Sequence, residues 1–338
     1  MMKKNELLQY IGNQNQAGST RHYVLSEGWG RNMRCIDVDS GSGLRYTILP
    51  DRGMDISLAS FRGINLVYLT CNSETHPAFY EPENIGWLRT FNGGLLTTCG
   101  LTYLGSPVND NGEELGLHGR YSTIPAKNVC DLSQWEGEDY VIKIRGTAEE
   151  GFMFGNKLRL ERELLTVAGT NTIRITDTVT NFGFNPSPFT ILYHMNLGYP
   201  LLNENAELLI DSSSTSPRDE SAEKGIPEIS TFTRPQAGFR EQVFDHLMKA
   251  DSSDMTSAKL LNRALGISLT IRFDTSTLPY LVQWKNMGQG DYVLGLEPCN
   301  TPGKNRKLLR ESNMLPVINP GESRTHRIEV LLDEVKTL

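Results

Sequence analysis

The sequence predicts an all-β protein, a large antiparallel β-sandwich or barrel with few short helices, on three observations. Apolar residues recur with a period of two in many short runs. Gly, Asn and Pro turn signals separate those runs. The strand–helix alternation of a parallel α/β sheet is missing. The chain has 338 residues. About 150 residues per domain would allow two domains, but no linker, tandem repeat or low-complexity segment divides it. One domain over 1–338 is therefore expected, with 1–40 an N-terminal extension or first strands. An apolar share of 38% supplies a sizeable core and excludes disorder as the dominant state.

The elements follow in order. Residues 4–11 form a candidate short helix. Residues 140–145 fit the strand class, and 156–164 alternate less cleanly. Residues 172–180 alternate and are dense in β-branched side chains, which suit a pleated surface. Residues 266–273 alternate cleanly, with Ile267, Leu269, Ile271 and Phe273 on one face, as a half-buried strand requires. Residues 327–332 match. Turn signals stand at 39–43, 109–112, 181–183 and 319–321. Residues 242–248 fit either period, and 304–311 fit one or two helical turns. Residues 211–236, rich in Ser, Pro and charge, form a long excursion after which strand patterns resume.

Charge and cysteine usage narrow the function. A net charge of −7 repels phosphate backbones, so no nucleic-acid partner is expected. Five cysteines, at 35, 71, 99, 130 and 299, are an odd number without a C-x-x-C, which argues against a disulfide framework or zinc knuckle. Lys3 and Lys4 precede a polar stretch rather than a signal-peptide core. No apolar run approaches the roughly 18 residues that span a bilayer. A cytoplasmic protein without a membrane partner is expected.

Three places put reactive side chains beside strand-like runs. His118 lies between Leu117 and Gly119, with Gly116 just before, where backbone and ligand approach closely. His194 and Asn196 lie two apart in an apolar run and so share a strand face. Glu297 ends the apolar run 292–297. Burying a lone carboxylate costs several kcal/mol unless it is paired, so it is expected to face a cleft. Each has a bland alternative: a hydrogen-bonded core histidine, or a satisfied carboxylate. Arg52 can pair with Asp51 or Asp55, and Trp284 can be plain core. The chain lacks H-x-H, H-E-x-x-H, G-x-S-x-G and phosphate-loop signatures, so no metal ligands are assigned.

In series these segments resemble the aldose 1-epimerase (galactose mutarotase) family. Residues 44–56, with Pro50 and Gly53, look like its first strand pair. Phe91-Asn92-Gly93-Gly94 occupies the place of its Gly-rich sugar-binding turn. Leu117-His118-Gly119 is similar to its Leu-His-Gly motif, and Tyr193-His194-Met195-Asn196-Leu197 to its histidine strand. Leu296-Glu297-Pro298 stands where the family has its catalytic glutamate, and 315–322 resemble its closing Pro-Gly-Glu turn. The likeness runs from about residue 40 to the end. Three features depart from the pattern: Pro298-Cys299-Asn300 after the glutamate, Tyr193 before the histidine, and the 211–236 excursion.

The resemblance implies a β-supersandwich of the galactose mutarotase kind, with a groove on one sheet. It implies Glu297 as general base, His194 as general acid and His118 as a sugar-binding assistant. Arg52, Asn92, Arg120, Asn196 and Trp284 are expected to line the groove around a small-molecule sugar substrate. No cofactor is required. Two other functions compete: a carbohydrate-binding protein without turnover, and a glycoside hydrolase in which Asp219 or Asp291 partners Glu297 across roughly 5–10 Å.

Overall fold

The computed structural model describes residues 3–336. Strands dominate, and all sheets are antiparallel. Two large sheets carry the architecture. The back sheet runs, in spatial order, Gln134–Glu136, Asp139–Gly151, Lys157–Val167, Thr172–Asn181, Ser323–Glu334, Ile267–Asp274, Met255–Asn262 and Ala206–Ile210, with Lys127–Asp131 also on Asp139–Gly151. Its central strands alternate buried and half-buried positions, so one face meets solvent and the other the core, as expected of an antiparallel sheet covered on one side.

The second sheet carries the site. Its order is Ser212–Pro217, Gln242–Met248, Tyr280–Met287, Tyr292–Cys299, Thr190–Leu197 and Thr97–Leu101. Every residue of Thr190–Leu197 is buried, because the back sheet covers one face and long loops cover the other. A smaller sheet of Ser19–Val24, Arg34–Asp39, Leu44–Leu49, Asp55–Phe61 and Ile64–Asn65 joins it through the Ile56–Leu96 bridge. The core of Ile, Leu, Val and Phe side chains draws on all three sheets.

A buried polar knot ties these layers. Arg162 of the back sheet donates to Asp177 (2.6 and 2.9 Å), to Asp55 of the small sheet (2.8 Å) and to Thr98 of the site sheet (2.9 Å). Tyr193 of the site sheet donates to Asp177 at 2.9 Å. Tyr193, one of the departures from the family pattern, therefore faces the core and away from the groove.

Residues 242–248 fold as a strand. The N-terminal helix spans only Lys4–Leu7, and the basic segment forms the helix Arg306–Glu311. The excursion supplies an edge strand, Ser212–Pro217, and the helix Glu220–Gly225, capped by Asp219. Among the described residues, no helix is long and apolar enough to cross a membrane.

Candidate active site

Strand register brings the central pair together. Leu192 pairs with Cys299 and Met195 with Leu296, so His194 falls opposite Glu297. Their side chains meet with His194 Nε2 3.2 Å from Glu297 Oε1, at 5% and 2% exposure. No hydrogen bond satisfies Glu297 Oε1 or His194 Nδ1. Gly295 makes room for this contact: a Cβ there would meet the Glu297 carboxylate and the Trp284 side chain. A glycine inside a strand is a sign of such close approach.

His118 arrives on a loop. Its backbone is left-handed, with φ of +58°, and Gly119 follows at +82°. A side chain at Gly119 would strike the carbonyl oxygens of Gly100 and Tyr103. The His118 N–H donates to Gly105 O (2.9 Å), and its carbonyl accepts from Gly100 N (3.1 Å). Left-handed backbone at a non-glycine residue is uncommon and persists where surrounding contacts over-determine it. The His118 Nδ1 is covered and without a partner. The two imidazoles stand 5.7 Å apart between ring centroids.

Aromatic rings frame the pair. Trp87 stacks on Phe91 at 4.5 Å and lies 4.8 Å from His118, while Phe91 and Trp284 lie 5.3 and 5.4 Å from His194. The result is a cavity of about 570 Å³ with His118, His194 and Glu297 in its lining, a size suited to a small ligand. Its rim over the Gln242–Met248 side carries Arg218, bonded to Glu241 at 2.7 Å. The Trp284 indole N–H donates to the other Glu241 oxygen at 2.8 Å.

Burial sets the resting charge. It pushes the Glu297 carboxyl well above the usual range, helped by the negative Asp245 and Glu241. It pushes His194 well below an ordinary imidazole, with His118 adding to the effect, and brings His118 down to about 4. A dry site disfavours both charged forms, so burial shifts the pair toward a neutral carboxyl beside a neutral imidazole. Moving that one proton across the contact gives carboxylate and imidazolium, a base and an acid side by side.

The structure gathers His118, His194, Glu297 and Trp284 in one cavity. Four expected lining residues are placed elsewhere. Arg52 is 1% exposed and donates to Thr75 O, because the turn after Pro50 tucks it under the surface. Asn92 is buried in the turn ahead of Thr97–Leu101, its carbonyl accepting from Thr70. Asn196 shares the His194 face, but that turn covers it, and its amide donates to Gly94 O and His194 O. Arg120 lines a neighbouring cavity with Tyr103 and Glu150, because the left-handed step at His118 and Gly119 turns the chain away. Neither hydrolase candidate faces Glu297: Asp219 caps its helix and Asp291 accepts from Tyr68. Asn300 bonds Ile191 N and Phe189 O, so that departure lies off the pocket. Sequence reading missed Trp87, Phe91 as a ring, Arg218, Glu241 and Gly295. Of these only Gly295, inside an apolar strand two residues before a carboxylate, left a readable signal.

Known proteins give this arrangement a context. A structure from Klebsiella pneumoniae subsp. pneumoniae, named provisionally as an aldose 1-epimerase, is 28% identical with a TM-score of 0.87, over 98% of this chain and 86% of that one. A galactose mutarotase-like protein from Clostridium acetobutylicum (14%, TM-score 0.68, 95% and 100% covered) and a galactose 1-epimerase from Lactobacillus acidophilus (13%, 0.61, 94% and 99%) share the fold. No curated protein matches the sequence. The fold is that of the galactose mutarotase-like proteins. Within it, the chain belongs to the family described as a domain of unknown function (DUF4432), matched over residues 30–332.

Proposed function

We propose that this protein is a cofactor-independent aldose 1-epimerase, interconverting the anomers of a sugar. The observation that carries the reading is the buried, unsatisfied His194–Glu297 pair at 3.2 Å on the floor of a sugar-sized cavity. Leaving such groups unpaired costs stability, and a reacting ligand that bonds both repays it.

The chemistry uses one base and one acid. Glu297, as carboxylate, takes the proton of the C1 hydroxyl. His194, as imidazolium, protonates the ring oxygen. The C1–O5 bond breaks and leaves the open-chain aldehyde. Rotation about C1–C2 presents the other carbonyl face, and closure returns both protons. The pair starts and ends with the same single proton, so neither cofactor nor net proton uptake is needed. His118 supports a hydroxyl, and the Trp284 ring offers a platform for the apolar sugar face.

The test is anomer exchange, followed by NMR or polarimetry across aldoses with spontaneous mutarotation subtracted. Acceleration above the buffer rate is expected. Binding without acceleration would replace this reading with that of a carbohydrate-binding protein acting through the same cavity.

A further inference from the structure

The two sides of the cavity mouth differ. On the side of Gln242–Met248 it is charged, carried by Arg218 and Glu241. On the side of the edge strand Thr97–Leu101 it is aliphatic. There Ile85 and Leu88, at 62% and 46% exposure, flank the buried Trp87. Leu117, held by its N–H to Asn84 O at 2.9 Å, completes that side. Stacking under a sugar accounts for the aromatic rings. It does not account for branched aliphatic side chains held at the mouth.

Sheet order aligns this asymmetry with the sugar. The strands run from Glu297 to His194 to the Thr97–Leu101 edge; Gly119 bridges Gly100 on that edge and the Leu117 N–H bonds Asn84 O, so the Ile85–Leu88 side lies beyond. In a pyranose the atoms C1, O5, C5 and C6 follow one another in the same sense. With C1 at Glu297 and O5 at His194, C5 lies past His194 and its substituent meets the aliphatic side. The ring hydroxyls at C2 and C3 then turn toward Arg218 and Glu241. This step rests on the base and acid roles given above.

We infer that the substrate is an uncharged 6-deoxy sugar, carrying a methyl group where common hexoses carry a hydroxymethyl. A methyl against Ile85, Leu88 and Leu117 gains apolar burial. A hydroxyl there finds no hydrogen-bond partner among these side chains and gains nothing from them. A 6-phosphate fits worse. Arg218 is the one Lys or Arg among the residues lining the cavity, it sits on the opposite side, and Glu241 already holds it.

The experiment compares matched pairs: fucose with galactose, quinovose with glucose and rhamnose with mannose, each pair of one configuration, with the hexose 6-phosphates alongside. Exchange NMR gives kcat/KM, and ligand-observed NMR titration of the wild-type protein gives affinity. One methyl-for-hydroxymethyl change in an apolar subsite is expected to favour the best 6-deoxy sugar by roughly tenfold to a hundredfold, with the phosphates poorest. Leu88→Gln, at an exposed position, should cut that ratio severalfold. A parent hexose turned over as well as its 6-deoxy partner overturns this inference and leaves the epimerase reading standing. No turnover with tighter 6-deoxy binding overturns the epimerase reading and with it the substrate claim, and leaves a binding site that prefers a methyl group. Neither turnover nor binding by any sugar overturns both.

Discussion

The strand Thr190–Leu197 separates two buried polar clusters that differ in one respect. On its core face, Tyr193 joins a knot in which Arg162, Asp177, Asp55 and Thr98 satisfy one another. On its cavity face, His194 meets Glu297, and each keeps an unpartnered atom. The residues are adjacent in sequence, and their burial is equally deep. The difference lies in satisfaction. Polar groups that hold layers together are bonded within the fold, because an unpaired buried charge costs several kcal/mol. Polar groups that act on a ligand are left open to it, at a cost in stability that the rest of the fold absorbs.

Exchanging the two behaviours is the sharpest way to break this contrast. Glu297→Gln keeps the size and cannot accept the C1 hydroxyl proton. Anomer exchange is expected to slow roughly 10²–10⁴-fold, the usual share of a positioned acid or base, with sugar affinity changed far less. Chemical denaturation should show nearly unchanged stability, since the amide has the carboxyl's size and is buried in the same unsatisfied position. Full activity in this variant would mean that the base is another group. Arg162→Met should do the reverse. It strands Asp55 and Asp177, and about 3–5 kcal/mol of unfolding free energy should be lost. The folded fraction should still turn over sugar. An Arg162→Met protein as stable as wild type would remove the knot's structural role.

What was legible in the sequence follows the same division. The back-sheet strands were readable because one face meets solvent and imposes a period of two, as in residues 267–273. The strand Gln242–Met248 was ambiguous because it is covered more evenly. Ser212–Pro217 was invisible as a strand because an edge position tolerates serines. His118, His194, Glu297 and Trp284 share one cavity, a grouping that motif order and strand spacing made legible. Arg52, Asn92, Arg120 and Asn196 were misplaced because loop rotation decides where those side chains go. Two left-handed residues, His118 and Gly119, are enough to send Arg120 into another cavity. Arg218 reaches the rim from within the excursion and Glu241 from just beyond it, a closure that only the folded sheet makes visible.

A smaller effect probes the room left for the unsatisfied pair. Gly295→Ala places a methyl group against the Glu297 carboxylate and Trp284. The backbone there is ordinary strand, so the cost falls on the site. A displacement of about 1 Å at a reacting group costs on the order of 10²-fold. A loss in kcat of that size is expected, with little change in stability. An unchanged kcat would show that the carboxylate position is not held by Gly295.

His326 is the exception on the core side, and it tests whether satisfaction or burial governs stability there. It pairs with Asp177 in the back-sheet ladder and packs against Phe189 and Tyr193, yet neither ring nitrogen has a partner. Asp177 and Asp274 favour its charged form and Arg324 opposes it, but burial dominates and brings it down from 6.5 to about 4. The sign follows directly. Between those values the unfolded chain binds a proton that the folded chain refuses, so stability falls as pH drops. Above pH 6.5 His326 costs nothing by this route, and below about 4 the loss is complete. At pH 5 the difference amounts to about 2 kcal/mol, taking 1.36 kcal/mol per pH unit. His326→Phe removes the titration and keeps a flat ring among aromatic neighbours. Urea unfolding at pH 7.5 and pH 5 should show the variant losing about 2 kcal/mol less than wild type on acidification. His118 and His194, common to both proteins, cancel in that comparison. Parallel pH profiles would mean that His326 is protonated in the folded protein, with the Asp177 carboxylate serving it as it serves Arg162.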